Sequence, residues 1–417
     1  MTTFPVEQLR KMFPALSRTQ DGNLVCHFDG PAGSQVPRRV ADAVSDYLLT
    51  TNSNRGAPFP VSQHSDMRLD VAHLTLADFL GTRDPGCIVF GQNMTSLTLA
   101  LSRALARTWK PGDEIIVTDL DHDANVTPWV LAAEDAGATI RRIPVQLEDC
   151  TLDRDAYREL LNANTKLVAL GYASNATGTI NPVKEMIAEA KTVGAMSFID
   201  AVHMAPHGLI DVTDLDCDFL CCSAYKFYGP HIGVMYGKRE RFESIRPYKL
   251  RPSPESLPGR WMTGTQSHEA MIGAAEAVEY LADLGDQIAT TASSRREGLM
   301  AAFLAIGEHE RYLSGHFLQR LRELPQLRLW GIDELDRLHE RVPTFSLTHP
   351  GVTSAEIAKK LAKKGIYTWP GNHYALPFTE AAGLEPEGTL RIGLLHYNTI
   401  QEVDRLCDSL TEILPKV

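Results

Sequence analysis

Phe198-Ile199-Asp200-Ala201-Val202-His203 and, downstream, Cys221-Cys222-Ser223-Ala224-Tyr225-Lys226-Phe227-Tyr228-Gly229-Pro230 each carry a short apolar run into a charged side chain. Runs of this length bounded by polar residues, Gly or Pro suit a buried strand better than a helix. The pattern recurs in Glu114 to Thr118, Ala138 to Val145, Lys166 to Gly171, Met196 to Asp200, Phe219 to Cys222 and Gly233 to Tyr236. Helical patterns fall between them, over Asn125 to Gly137 and over Val183 to Gly194, the second opened by Pro182 and closed by Gly194. Strand and helix in alternation predict an α/β fold, a mainly parallel central sheet with helices on both faces. Ligands of such sheets bind beyond the carboxyl ends of the strands. Asp200, His122 and Asn175 all stand there.

Beyond residue 285 the texture changes. Amphipathic helices are expected over 288–305 and 307–323, then a few strands, then helices near 354–364 and 399–414, which together make a smaller C-terminal α+β domain. The expected division is 1–24 as an N-terminal segment packing with the small domain, 25–285 as the large domain and 286–417 as the small one. A chain of 417 residues suits this better than a single small core. Pro247, Pro252, Pro254 and Pro258 make 246–260 an irregular active-site or interface loop.

Composition excludes several classes of function. A net charge of -11 argues against a nucleic-acid footprint, which concentrates positive charge. The cluster Lys359, Lys360, Lys363 and Lys364 has helical spacing and reads as a solvated face. The start, Met1 to Glu7, has neither the basic nor the apolar part of a signal peptide, and no apolar run approaches the roughly 20 residues that span a bilayer. A cytoplasmic protein is expected. Seven cysteines are scattered without CxxC pairs or zinc spacing, which predicts reduced thiols and no metal site. Cys221 and Cys222 read as core packing.

Asp200 delivered by one apolar strand and Lys226 by a second short apolar segment, with Ser and Tyr hydroxyls flanking the lysine, make one chemical proposal. A lysine holding an aldehyde as a Schiff base, and an aspartate pairing with a pyridine nitrogen to keep it protonated, are what a pyridoxal phosphate enzyme requires.

The spacing of these segments resembles the fold-type I pyridoxal phosphate enzymes, specifically the class V aminotransferase group that contains the cysteine desulfurases. The resemblance runs from Phe28-Asp29-Gly30-Pro31-Ala32-Gly33 to the stretch Tyr397 to Asp404. It implies that His122, in Asp121-His122-Asp123-Ala124-Asn125, stacks its imidazole on the cofactor ring, and that Asn175, in Ser174-Asn175-Ala176-Thr177-Gly178, lies beside the ring hydroxyl and the substrate. Asn93-Met94-Thr95-Ser96 opens a helix pattern whose free N–H groups suit a phosphate. Met94 and Thr95 stand where the desulfurases have Gly-Thr-Thr, and Ser223 and Tyr225 complete the cup, with Tyr225 replacing a family His. His203 replaces the usual Gln near the ring hydroxyl. Thr265, in Gly264-Thr265-Gln266, matches the segment that reaches a neighbouring subunit's phosphate, which implies a homodimer. Arg391 matches the clamp for a substrate α-carboxylate, a natural partner for a guanidinium, and Arg55 is a second candidate.

One departure bears on the reaction. Where cysteine desulfurases carry a mobile-loop cysteine, this chain reads Gly371-Asn372-His373-Tyr374, and residues 366–390 hold no cysteine. The expected function is cleavage of a Cβ-substituent bond of an amino acid substrate, of the C–S lyase, desulfinase or β-decarboxylase type. Alternatives are an epimerase or aminotransferase, then a true desulfurase or a cofactor-binding scaffold without turnover. Trp369 and Tyr374 are expected to shape the pocket mouth.

Overall fold

A computed structural model describes residues 4–289 and 292–415. Seven strands, β1 (Ile88–Gly91), β2 (Glu114–Thr118), β3 (Thr139–Ile143), β4 (Thr165–Gly171), β5 (Met196–Asp200), β6 (Phe219–Ser223) and β7 (Gly233–Gly237), form one sheet in the order β1-β7-β6-β5-β4-β2-β3. Strands β2 to β6 run parallel, and β7 is antiparallel to both its neighbours. Phe198 joins an apolar layer with Leu101 and Trp129, whereas its neighbour Ile199 joins another with Leu76 and Met271. Both faces of the sheet are therefore covered, which is why its inner strands are continuous apolar runs.

The covering helices include α1 (Pro60–Leu80), α2 (Met94–Ala106), α3 (Thr127–Ala136), α4 (Val183–Thr192), α5 (His268–Ile288) and α6 (Arg295–Leu321). The C-terminal domain carries a four-stranded antiparallel sheet, β8 (Arg328–Trp330), β9 (Thr344–Thr348), β10 (Trp369–Gly371) and β11 (Thr389–Gly393), in the order β8-β9-β11-β10. Helices α7 (Ser354–Lys363) and α8 (Ile400–Ile413) pack there, and each opens on a capping box, Thr353 with Glu356 and Thr399 with Glu402.

The two helices expected over 288–305 and 307–323 are one helix, α6. Gly307 lies inside it, because an interior glycine costs only about 1 kcal/mol and the buried face continues past it. Leu299, Phe303 and Ile306 enter the large-domain core, while Leu313, Phe317 and Leu321 enter the C-terminal one. Gly285 of α5 meets Gly298 of α6 so closely that any Cβ on Gly285 would overlap the Gly298 carbonyl. Residues 246–260 form neither helix nor strand, as their prolines require. The N-terminal segment touches both domains: Phe13 stands edge-on to Tyr228 and Tyr280, and Gln20 donates to the Ala362 carbonyl at 2.9 Å. Among the described residues, no helix is long and apolar enough to cross a membrane.

Candidate active site

Lys226 ends the single 3-10 turn Ala224–Lys226 that directly follows β6. Its buried Nζ donates to the Pro31 carbonyl and lies 5.0 Å from the centre of the Tyr225 ring. Burial, helped by Arg391 and opposed by Asp200, lowers its pKa to about 7. Asp200 closes β5, one strand away, and its Oδ1 accepts from the Val202 N–H at 2.9 Å. Burial raises its pKa to about 6, against the Val202 hydrogen bond and the Lys226 charge. At neutral pH Lys226 therefore sits near the middle of its titration, while Asp200 is mostly ionised.

The turn after β2 brings His122 and a residue that the sequence reading passed over, Asp121. Gly171, opposite Asp200 across β4 and β5, leaves room for it, since a Cβ there would lie 2.6 Å from Asp121 Oδ1. Asn125 donates to Asp121 Oδ2 at 2.7 Å, and burial beside Asp200 raises the Asp121 pKa to about 7. Its only signal was the polar step from β2 into the His122 turn. His122 Nδ1 accepts from the Ala124 N–H at 3.0 Å, and its ring stacks near-parallel to Tyr374, centroids 5.5 Å apart at 18°. Burial, then Lys226 and Arg391, lower its pKa to about 4, so the imidazole is neutral.

The loop after β4 is held through three successive carbonyls by the C-terminal sheet and by Arg341 just before it. Arg391 Nη1 donates to Asn175 O at 3.0 Å, Ser346 Oγ to Ala176 O at 2.8 Å and Arg341 Nη2 to Thr177 O at 3.3 Å. Gly178 has φ +82°, and a Cβ on it would lie 2.5 Å from the Thr344 carbonyl. Asn175 Nδ2 then donates to the His373 carbonyl at 2.8 Å, and the Asp123 N–H donates to the Tyr374 carbonyl at 2.7 Å. The His373–Tyr374 loop, with φ of +58° and +57°, is thus tied down on both sides of the site. His373 is buried with Nε2 3.0 Å from Thr389 Oγ1, whereas the Tyr374 side chain is 72% exposed. Trp369, half exposed, lies opposite Arg391 in the β10–β11 register.

At the start of α2 the Met94 N–H donates to Ser223 Oγ at 3.1 Å, joining the helix N-terminus to the end of β6. Thr95 in the first turn is exposed. Tyr225 is half buried and stacks on His231, centroids 4.9 Å apart at 9°. Gly33 lies against its ring, where a Cβ would be 3.3 Å away. His203 is buried, its Nε2 2.9 Å from Thr344 Oγ1.

Arg55 and Thr265 stand elsewhere. Arg55 spends its guanidinium on Asp66 at 3.0 Å and Asp70 at 2.6 Å, both on α1. With Thr265 it lines a separate cleft of about 1010 Å³ that also includes Asn54, His73, Arg239 and His268. Within one chain neither joins Lys226.

The family model for aminotransferase class-V matches residues 26–406. A cysteine desulfurase of Pectobacterium carotovorum is 30% identical, the match covering 99% of this chain and 98% of the relative. An aminotransferase-like protein of Gibberella zeae is 31% identical with 99% of each chain covered. Among solved structures, a cysteine desulfurase from Thermococcus onnurineus superposes with a TM-score of 0.87 at 26% identity, covering 99% of this chain and 98% of that one. The cysteine desulfurase CsdA from Escherichia coli gives 0.83 at 27%, with the same coverage.

Proposed function

We propose, from the premise that the chain belongs to the aminotransferase class-V family and is a pyridoxal phosphate enzyme, that it cleaves a Cβ-substituent bond of an amino acid. The residues present fit the cofactor. Asn175 Oδ1, His203 Nδ1, His373 Nδ1 and Arg391 Nε are buried without a partner, and an orphaned buried polar group costs roughly 1–3 kcal/mol, so a polar ligand that partnered them would relieve that cost. In this reading Lys226 takes the aldehyde, Asp200 the ring nitrogen, and Thr95, Ser223 and Tyr225 the phosphate, with Met94 holding Ser223 in place through its N–H. His122 covers one face, while Asn175 and His203 lie toward the ring hydroxyl. When bound, pyridoxal phosphate supplies an electron sink for negative charge at the substrate Cα.

The chain's own groups supply the rest. Arg391 offers its unpartnered Nε edge to the α-carboxylate while Nη1 keeps Asn175 in place. An amine with a pKa near 7, as burial gives Lys226, can take a proton from Cα and return it. His122 and Tyr374 exclude water from the site mouth, with Trp369 at its edge. The outcome is a C–S lyase, desulfinase or β-decarboxylase type of reaction.

The observation that carries this reading is the state of the thiols. All seven cysteines are buried, and burial pushes Cys26 up to about 11 and Cys87, Cys150, Cys217 and Cys407 to about 12. A persulfide-forming step needs an accessible thiolate, and the loop position over His122 holds the Tyr374 phenol. The test is incubation of holoenzyme with cysteine, cysteine sulfinate, S-substituted cysteines and aspartate in deuterated water. Pyruvate or alanine is expected. Deuterium at Cα with inverted stereochemistry would establish epimerisation instead, and a persulfide on an enzyme cysteine would overturn the reading.

The same reading makes the protein a cytoplasmic homodimer with domains at 25–285 and 286–417, in which Thr265 serves the partner's site. Exposed Leu49 and Phe59 before α1, and Met67, Val71 and Leu74 on it, the last lining that cleft, support the association.

A further inference from the structure

His203 begins a buried line of acid–base groups that none of the steps above uses. The His207 ring stands edge-on to it, centroids 5.4 Å apart at 74°. His207 Nδ1 lies 2.9 Å from Glu310 Oε2, contributed by α6, and Glu310 Oε1 has no partner. His203, His207 and Glu310 are only 3%, 6% and 3% exposed. At one end, burial and then the charges of Lys226 and Arg391 disfavour a protonated His203. At the other, His207 and Glu310 line a cavity of about 210 Å³ with Met204, Gly307, Arg311 and His339.

A carboxyl buried this deeply is stable only if it shares a proton or an opposite charge with its neighbour. The pair is neutral overall in two forms. Either Glu310 is ionised beside an imidazolium, or the proton has moved from His207 Nδ1 to Glu310 Oε2 and the imidazole is neutral. The two forms put different charge against the His203 ring, whose Nε2 is fixed on Thr344 and whose Nδ1 is free. Its charged and titratable surroundings include Arg311 beside Glu310, Arg341 and His339 in the cavity wall, and His396 and Tyr228, which feel the charge of the pair.

We propose that His207 and Glu310 are positioning residues that hold one proton between them and thereby set the tautomer of His203, deciding whether its Nδ1 meets the cofactor as a donor or as an acceptor. The proposal rests on the cofactor being pyridoxal phosphate and not on the fate of the Cβ substituent, so a reaction panel without Cβ cleavage leaves it standing.

The test uses holoenzyme labelled with ¹⁵N-histidine, with His203 resonances assigned from H203Q. Glu310→Gln keeps the shape and removes the proton-sharing carboxyl. It is expected to change the His203 ring ¹⁵N shifts, to move the pH midpoint of the bound cofactor's absorbance by about half a unit or more, and to lower kcat about tenfold with KM within about twofold. Glu310→Asp is expected to restore the shifts and the midpoint toward the parent. Should Glu310→Gln fail to fold, His207→Gln takes the same readouts. Either variant melting lower while His203 shifts and the absorbance midpoint stay unchanged would reduce the pair to packing and overturn the proposal.

Discussion

The free Nε of Arg391 and the buried amine of Lys226 are the two points at which a single atom decides what the site can do. Lys226→Ala is expected to abolish the borohydride-fixed cofactor mass on the peptide containing residue 226, while the fold, read by circular dichroism, persists. Arg391→Lys keeps the charge and loses the fork that reaches Asn175 and a carboxylate together. Its KM is expected to rise about tenfold or more, since charge-assisted hydrogen bonds contribute about 1.5–3 kcal/mol. Tyr374→Cys restores a thiol at the mouth beside the neutral His122. If the parent lacks persulfide chemistry only for want of that thiol, the variant is expected to show sulfane sulfur on residue 374 by mass spectrometry after cysteine treatment.

The elements were legible to different degrees, and the difference has a physical cause. Strands β2 and β4 to β7 appear in the sequence as continuous apolar runs because both faces of their sheet are covered. Site residues at the ends of β2, β4, β5 and β6 follow from that placement. Helix α5 buries residues around most of its circumference, from Ala270 through Leu284, so it carries no clear stripe and was not anticipated. Loop-to-loop ties were equally invisible, because Asn175 and the His373 carbonyl are 198 residues apart and no local pattern encodes their meeting. The loop after β4 is the element on which this matters most, since its geometry is imposed from the C-terminal sheet. Gly178→Ala forces a Cβ toward the Thr344 carbonyl at positive φ. It is expected to cost about 2–4 kcal/mol in urea unfolding and to lower kcat/KM by displacing Asn175.

Across the whole molecule, the buried charges of the site set how stability varies with pH before cofactor is added. Lys226 has a folded pKa of about 7 against an ordinary 10.5, so between these values the unfolded chain binds more protons and stability rises with pH. Asp200 and Asp121, raised to about 6 and about 7 from 3.8, hold protons longer in the folded state, so stability falls as pH rises toward neutrality. Buried His73, His122 and His396, lowered to about 4, 4 and 3, add a rise of their own below pH 6.5, so the two contributions are read by denaturant titration as differences between variant and parent apoprotein. Lys226→Met should remove the rising limb, and Asp121→Asn should flatten the falling one. A last consequence lies in α6. At 27 residues it is a rod of about 40 Å, anchored by Phe303 in one core and Phe317 in the other, and seated on α5 at the Gly285–Gly298 contact. Swinging one body against the other would mean bending that rod or breaking its seat. Such a rod is expected to resist that swing, which leaves the exposed Tyr374 side chain, carried on a backbone held from both sides, as the expected doorway to the site.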